Sequence, residues 1–118
     1  MRARSALALA LLILATPGTA GVKEYCANQW PTDFEMQEYC IKQQYEAVFE
    51  IKIFAKRFGF WGDNTLDGTA VQQAMSKKNP WTIMIAKCFT DWETDAGIDY
   101  EMVAYCLRQQ EKSYHAIQ

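Results

Sequence analysis

Histidine is almost missing from this sequence: the only one is His115, close to the C-terminal end. A lone imidazole on a chain end is a poor start for a nucleophile–base pair. No Gly-x-Ser-x-Gly, Cys-x-x-Cys, Cys-x-x-Cys-His or phosphate-cradling glycine loop occurs. Hydrolase elbows, thioredoxin-type redox centres, c-type haem attachment and P-loop chemistry therefore have no sequence support. Lysine and arginine form no cluster, and the net charge is −2. An acidic chain without a basic patch is unsuited to nucleic acid or to anionic lipid. Low-complexity tracts and Gly/Ser linkers are absent too, so nothing marks a second domain.

What is present begins with "MRARSALALALLILATPGTA". Arg2 and Arg4 precede an apolar run from Ala6 to Ala15. A Pro-Gly break follows, with small residues at Gly18 and Ala20. This pattern predicts a secretory signal peptide over residues 1–20 and a single all-α domain over 21–118. The competing reading is an uncleaved anchor, but the run is short for a membrane span. No stable membrane insertion is expected after cleavage. The four cysteines, Cys26, Cys40, Cys88 and Cys106, all lie in the predicted mature domain. An even count in a small exported chain predicts two disulfides, with three pairings formally open.

The sequence repeats itself. "DFEMQEYCIKQQ" at Asp33–Gln44 returns as "DYEMVAYCLRQQ" at Asp99–Gln110. The repeat copies extend over 26–44 and 88–110. Cys26 leads to Trp30 as Cys88 leads to Trp92, and Asp33 leads to Cys40 as Asp99 leads to Cys106. Asp33 and Asp99 are suited to helix N-caps, and Glu35 and Glu101 suit the positive end of the helix dipole. Met36, Tyr39, Cys40 and Gln43 share one helix face, as do Met102, Tyr105, Cys106 and Gln109. Pro31 closes the helix that carries Cys26. Folding the chain back after each Trp brings the cysteines of one copy level, which predicts Cys26–Cys40 and Cys88–Cys106. Each bridge closes a loop of about 15 to 19 residues, worth about 3 kcal/mol in the chain-entropy model. The expected fold is all-α: two disulfide-stapled antiparallel α-hairpins related as an internal repeat, joined by a long helix, a loop and a short helix.

Helices are predicted near 22–30, 34–58, 70–78, 80–91 and 100–116. Gly59 stops the second, Thr69 caps the third, and Asn79-Pro80 separates the third from the fourth. The stretch "VFEIKIF" also alternates as a strand does. Trp30 and Trp92 are expected to fill the turns, and Tyr39 and Tyr105 to line a shared core.

Four constellations are candidates for function. Asp63, Thr65, Asp67, Gly68 and Thr69 follow the first half of a calcium loop, but Ala74 stands where a bidentate carboxylate belongs, so a plain turn is favoured and no cofactor is expected. Asp91, Glu93, Asp95, Asp99 and Glu101 make an acidic stretch without the required glycine, read as a solvated loop. Phe60, Trp61 and Trp81 are candidate partner anchors if exposed, against the plainer reading of core filling. The pairs Gln43-Gln44 and Gln109-Gln110 are read as helix-surface filler, against one glutamine of each pair bonding across its hairpin or contacting a ligand at a pseudo-twofold interface. A further stretch, "GFWGDNTLDGTAVQQA", resembles the "DG…T…AV…FQ" pattern of peptidoglycan-binding modules, with a shorter spacing after Asp67-Gly68.

Trp30, Pro31, Asp33, Phe34, Met36, Tyr39 and Cys40 resemble a Trp-Pro-x-Asp-Phe/Tyr-x-Met-x-x-Tyr-Cys motif of small exported bacterial proteins of unassigned function. The resemblance implies export and a disulfide and supplies no activity. The second copy departs from it, with Glu93 in place of the proline. Together these features point to a non-enzymatic binding protein of the bacterial periplasm or exterior. Its partner would be another exported protein, and its role that of an accessory subunit, inhibitor or adaptor. A cell-wall glycan hydrolase using carboxylates and a calcium-dependent binding module are the competing classes.

Overall fold

A computed structural model describes residues 21–62, 65–66, 73 and 76–118. Among the described residues the fold is mostly helical, with helices α1 (Val22–Gln29), α2 (Phe34–Arg57), α3 (Pro80–Asp91) and α4 (Tyr100–Ala116). Their ends obey local chemistry. Trp30 closes α1, immediately before Pro31, whose ring and missing N–H cannot continue a helix. Asp33 caps α2 by accepting from the Met36 N–H at 3.0 Å, and Asp99 caps α4 by accepting from Met102 at 3.3 Å. Asn79 caps α3 through Trp81 and Thr82, with Pro80 at the first helical position.

The C-terminus of α2 is a Schellman turn. Gly59 takes φ +82°, its N–H donates to the Lys56 carbonyl at 3.2 Å, and the Phe60 N–H donates to Ala55 at 2.7 Å. That geometry turns Phe60 inward against Ala55, and both are buried. The alternating "VFEIKIF" segment lies inside α2. Its inward residues Ile51, Phe54 and Ala55 follow helical spacing, and the helix wins because caps at both ends agree with it. Of the predicted 70–78 helix, Gln73 and Ser76 are helical and the Lys77 N–H donates to the Gln73 carbonyl. Lys77 and Lys78, expected to be helical, form a turn, and residues 70–72, 74 and 75 with the expected cap Thr69 lie outside the described residues.

Two segments read as loops contain short antiparallel ladders. Strands β1 (Trp61–Gly62) and β2 (Thr65–Leu66) pair Trp61 with Leu66 and Gly62 with Thr65. Strands β3 (Glu93–Thr94) and β4 (Gly97–Ile98) pair Glu93 with Ile98 and Thr94 with Gly97. Thr94 fixes the second turn: its hydroxyl donates to the Gly97 carbonyl and accepts from the Ala96 N–H. Gly97 sits at φ +129° against Tyr25, so the turn packs on α1 rather than standing free in solvent.

Disulfides join Cys26 to Cys40 and Cys88 to Cys106, with Cα separations of 5.7 and 5.6 Å. They tie α1 to α2 and α3 to α4. The core combines Ala47, Ile51 and Phe54 of α2, Met84, Ile85 and Phe89 of α3, and Val103, Ala104 and Leu107 of α4, with Val22 and Tyr25 of α1 at one edge. Helices α2 and α4 run side by side in the same sense. Gln44 meets Asp99 and Tyr100, Glu50 meets Arg108, and Arg57 meets Glu111.

This docking corrects the expected faces. Tyr39 and Tyr105 do not line the core; they are 58% and 48% exposed. The buried stripe of α4 is Tyr100, Val103, Ala104 and Leu107, on the other side of the helix from Tyr105 and Gln109. Trp30 does not fill its turn and is exposed, whereas Trp92 packs half-buried against the core.

Candidate functional site

The predicted glutamine pairs separate into different roles. Gln44 is not a docking residue. It is 2% exposed, its Oε1 accepts from the Tyr100 N–H at 2.8 Å, and its Nε2 donates to Asp99 Oδ1 at 3.1 Å. It thus supplies a second cap to α4 from the other half of the molecule, satisfying an N–H that the first turn leaves unpaired. The Tyr25 hydroxyl also bonds Asp99, so α1, α2 and α4 meet at one polar node. Burial, with the Asp99 and Glu101 carboxylates adding to it, pushes the Tyr25 phenol up to about 12. Burial also raises Tyr100. Among the described residues Gln110 forms no counterpart of the Gln44 bonds, so the two copies use this position differently. Gln43 and Gln110 are half-buried and Gln109 is exposed.

The aromatic candidates also divide. Phe60 is 4% exposed and belongs to the core, because the Schellman turn points it there. Trp61 lies in β1, and its side chain lies outside the described residues. Trp81 is half-buried at the start of α3. Its ring stacks on Phe58, with centroids 4.2 Å apart and planes 9° apart, and meets Tyr114 edge-on at 4.9 Å. The Arg57 guanidinium lies 4.7 Å from the Phe58 centroid on that cluster.

Of the calcium-loop residues, Asp63, Asp67 and Thr69 lie outside the described residues, and Thr65 sits in β2. The acidic stretch is not a free loop. Asp91 ends α3 and pairs with Lys87, Glu93 is in β3, and Asp99 is a cap. No group of three or more histidines, cysteines, aspartates or glutamates among the described residues could hold a metal ion. Most of the segment resembling peptidoglycan-binding modules lies outside the described residues.

One concavity that the sequence did not announce is a groove of about 250 Å³ between α2 and α4. Ile51, Phe54, Ala104 and Leu107 form its apolar floor. Arg108 pairs with Glu50 on one side, and Arg57 pairs with Glu111 at 2.7 Å on the other. Ile53 stands at its lip, 51% exposed. The groove leads toward the Phe58–Trp81–Tyr114 cluster. Glu111 Oε2 lies 3.7 Å from His115 Nε2, and no cysteine thiol is free among the described residues. Chemically this is an apolar slot with its charges already paired, suited to holding a side chain rather than to activating a nucleophile. Sequence reasoning missed it because Glu50, Arg57, Arg108 and Glu111 look like ordinary surface charges until α2 and α4 are docked.

Comparison with protein-family profiles, curated proteins and solved structures finds no match to this chain. What stands is a disulfide-bridged, mostly helical fold. Two disulfides are consistent with an oxidising compartment, and among the described residues no helix is long and apolar enough to cross a membrane.

Proposed function

We propose that this chain is a non-enzymatic binding protein of the bacterial periplasm or exterior that docks another exported protein as an accessory subunit, inhibitor or adaptor. The observation that carries this reading is the α2–α4 groove. Its floor is apolar, its rims are arginine–glutamate pairs, and an aromatic stack adjoins one end. Arginine and aromatic residues are the types that dominate binding energy at protein interfaces. At about 250 Å³ the groove is below the usual range for small-molecule sites, so an anchoring side chain of a partner fits it better than a free substrate. The residues of the Trp-Pro-x-Asp motif and the apolar leader support export.

We further infer that each bridged helix pair is an antiparallel α-hairpin and that the pairs descend from one repeated unit. The shared spacing of cysteine, tryptophan and capping aspartate supports this. On that reading the extra residues of the second copy fall within the 93–98 segment that holds β3 and β4.

The test uses the oxidised protein recovered from expression of the full chain, with a photo-crosslinker at Ile53, in extract of the producing cell's exterior compartments. A single crosslinked protein, lost when Arg108→Glu is introduced without loss of fold, is the expected result. Equal capture by the Arg108→Glu variant removes the groove from the account. Turnover of glycan by the purified chain replaces the binding role with an enzymatic one.

A further inference from the structure

We propose that the outer face of α2 is a self-association surface, on which a second copy of this chain docks antiparallel. Three large apolar side chains stand in solvent there: Tyr45, Phe49 and Ile53, at 39, 60 and 51% exposure. They are one helical turn apart along the longest helix of the fold. Exposed apolar residues on the other helices, such as Ile83 of α3 and Ile117 beyond α4, stand singly, which is ordinary on a protein surface. A run of three on one helix is not ordinary.

The flanking charges select the occupant. Glu38, Lys42, Tyr45, Phe49, Lys52 and Lys56 follow alternating steps of four and three, the spacing of a seam between packed helices. The centre of the seam is aromatic, its N-terminal end carries Glu38 and its C-terminal end carries Lys56. Reversing a second copy about the level of residue 47 carries 45 onto 49 and 38 onto 56. Each Tyr45 then packs against Phe49 of the other copy, and each Glu38 faces Lys56 of the other copy. Lys42 and Lys52 come level and repel, and Glu46, one turn from Lys42 on its own helix, offsets part of that repulsion. A surface that complements itself under a two-fold rotation is the requirement for a closed dimer. Ile53 is shared with the lip of the α2–α4 groove, but Glu38, Phe49 and Lys56 do not line that groove, so variants at these three positions test this face alone.

The seam is short, so the dimer is weak and depends on concentration. Sedimentation equilibrium of the oxidised protein from expression of the full chain is expected to show monomer and dimer. Phe49→Glu is expected to leave monomer alone. Glu38→Lys and Lys56→Glu each create two like-charge pairs and are expected to weaken association about tenfold. An equimolar mixture of those two variants restores it, because each reversed charge then meets its complement. All three positions are exposed or at the surface, and unchanged thermal melts verify that the variants fold. A chain that stays monomeric up to about 1 mM overturns the proposal and leaves the face to a different protein. Association that ignores the reversals, or a mixture that fails to recover, overturns it as well.

Discussion

Gln44 joins α2 to the start of α4 through a single amide. Its Oε1 takes the Tyr100 N–H in a buried bond and its Nε2 reaches Asp99 in a half-buried one. Gln44→Leu therefore strands a buried donor and is expected to cost about 1–3 kcal/mol in urea denaturation. Gln43→Leu, one position away and half-buried without that bond, is expected to stay within about 0.5 kcal/mol. Similar costs for the two would remove the node from the account. Tyr25 adds a pH signature. The folded chain holds its phenol proton more tightly than the unfolded chain, at about 12 against 10.0. The contribution is thus complete below pH 10 and is lost as pH rises toward 12. Tyr25→Phe is expected to flatten the fall in stability over that window, measured by denaturant midpoints at stepped pH.

At the scale of elements, the ends of α2 and α4 were readable because caps act over a few residues. Asp33, Asp99, Asn79 and Gly59 each serve the helix terminus that their neighbours imply. Gly59→Ala meets no atom within 4 Å, so its cost is backbone conformation alone, about 1 kcal/mol. Replacing Cys88 and Cys106 together by alanine frees a loop of about 19 residues and is expected to cost about 3 kcal/mol. A chemical-denaturation series on the double variant verifies the magnitude. The turn between Trp92 and Asp99 was not readable as a strand pair. Its ladder depends on Thr94 folding back to Gly97 and on Tyr25 from a distant helix, neither of which has a periodic signal.

At the scale of the whole molecule, the docking of α2 beside α4 decides what is core and what is surface. Leu107 lies in that seam at 2% exposure, and Leu107→Ala is expected to cost about 2–5 kcal/mol. Tyr105→Ala removes a larger but exposed side chain and is expected to cost less than that. The reverse ranking in thermal unfolding would show that the helix faces are wrongly assigned. The rim pairs of the groove are half-exposed, so losing Arg108 is expected to cost at most about 1 kcal/mol. Arg108→Glu adds repulsion from Glu50 to that loss, but both side chains are half-exposed, so the variant is expected to fold and a thermal melt verifies it.

The chain alone determined the helical class, the helix ends and the partnering of its cysteines. Those features depend on interactions within a turn or across a short loop, and such interactions leave a fixed spacing behind. Only tertiary structure decided that Gln44 and Phe60 are buried, that Tyr39 and Tyr105 face outward, and that four scattered charges rim one groove. Each of those outcomes depends on which side of one helix meets another distant in sequence, and two amphipathic faces of similar composition do not announce which will be chosen.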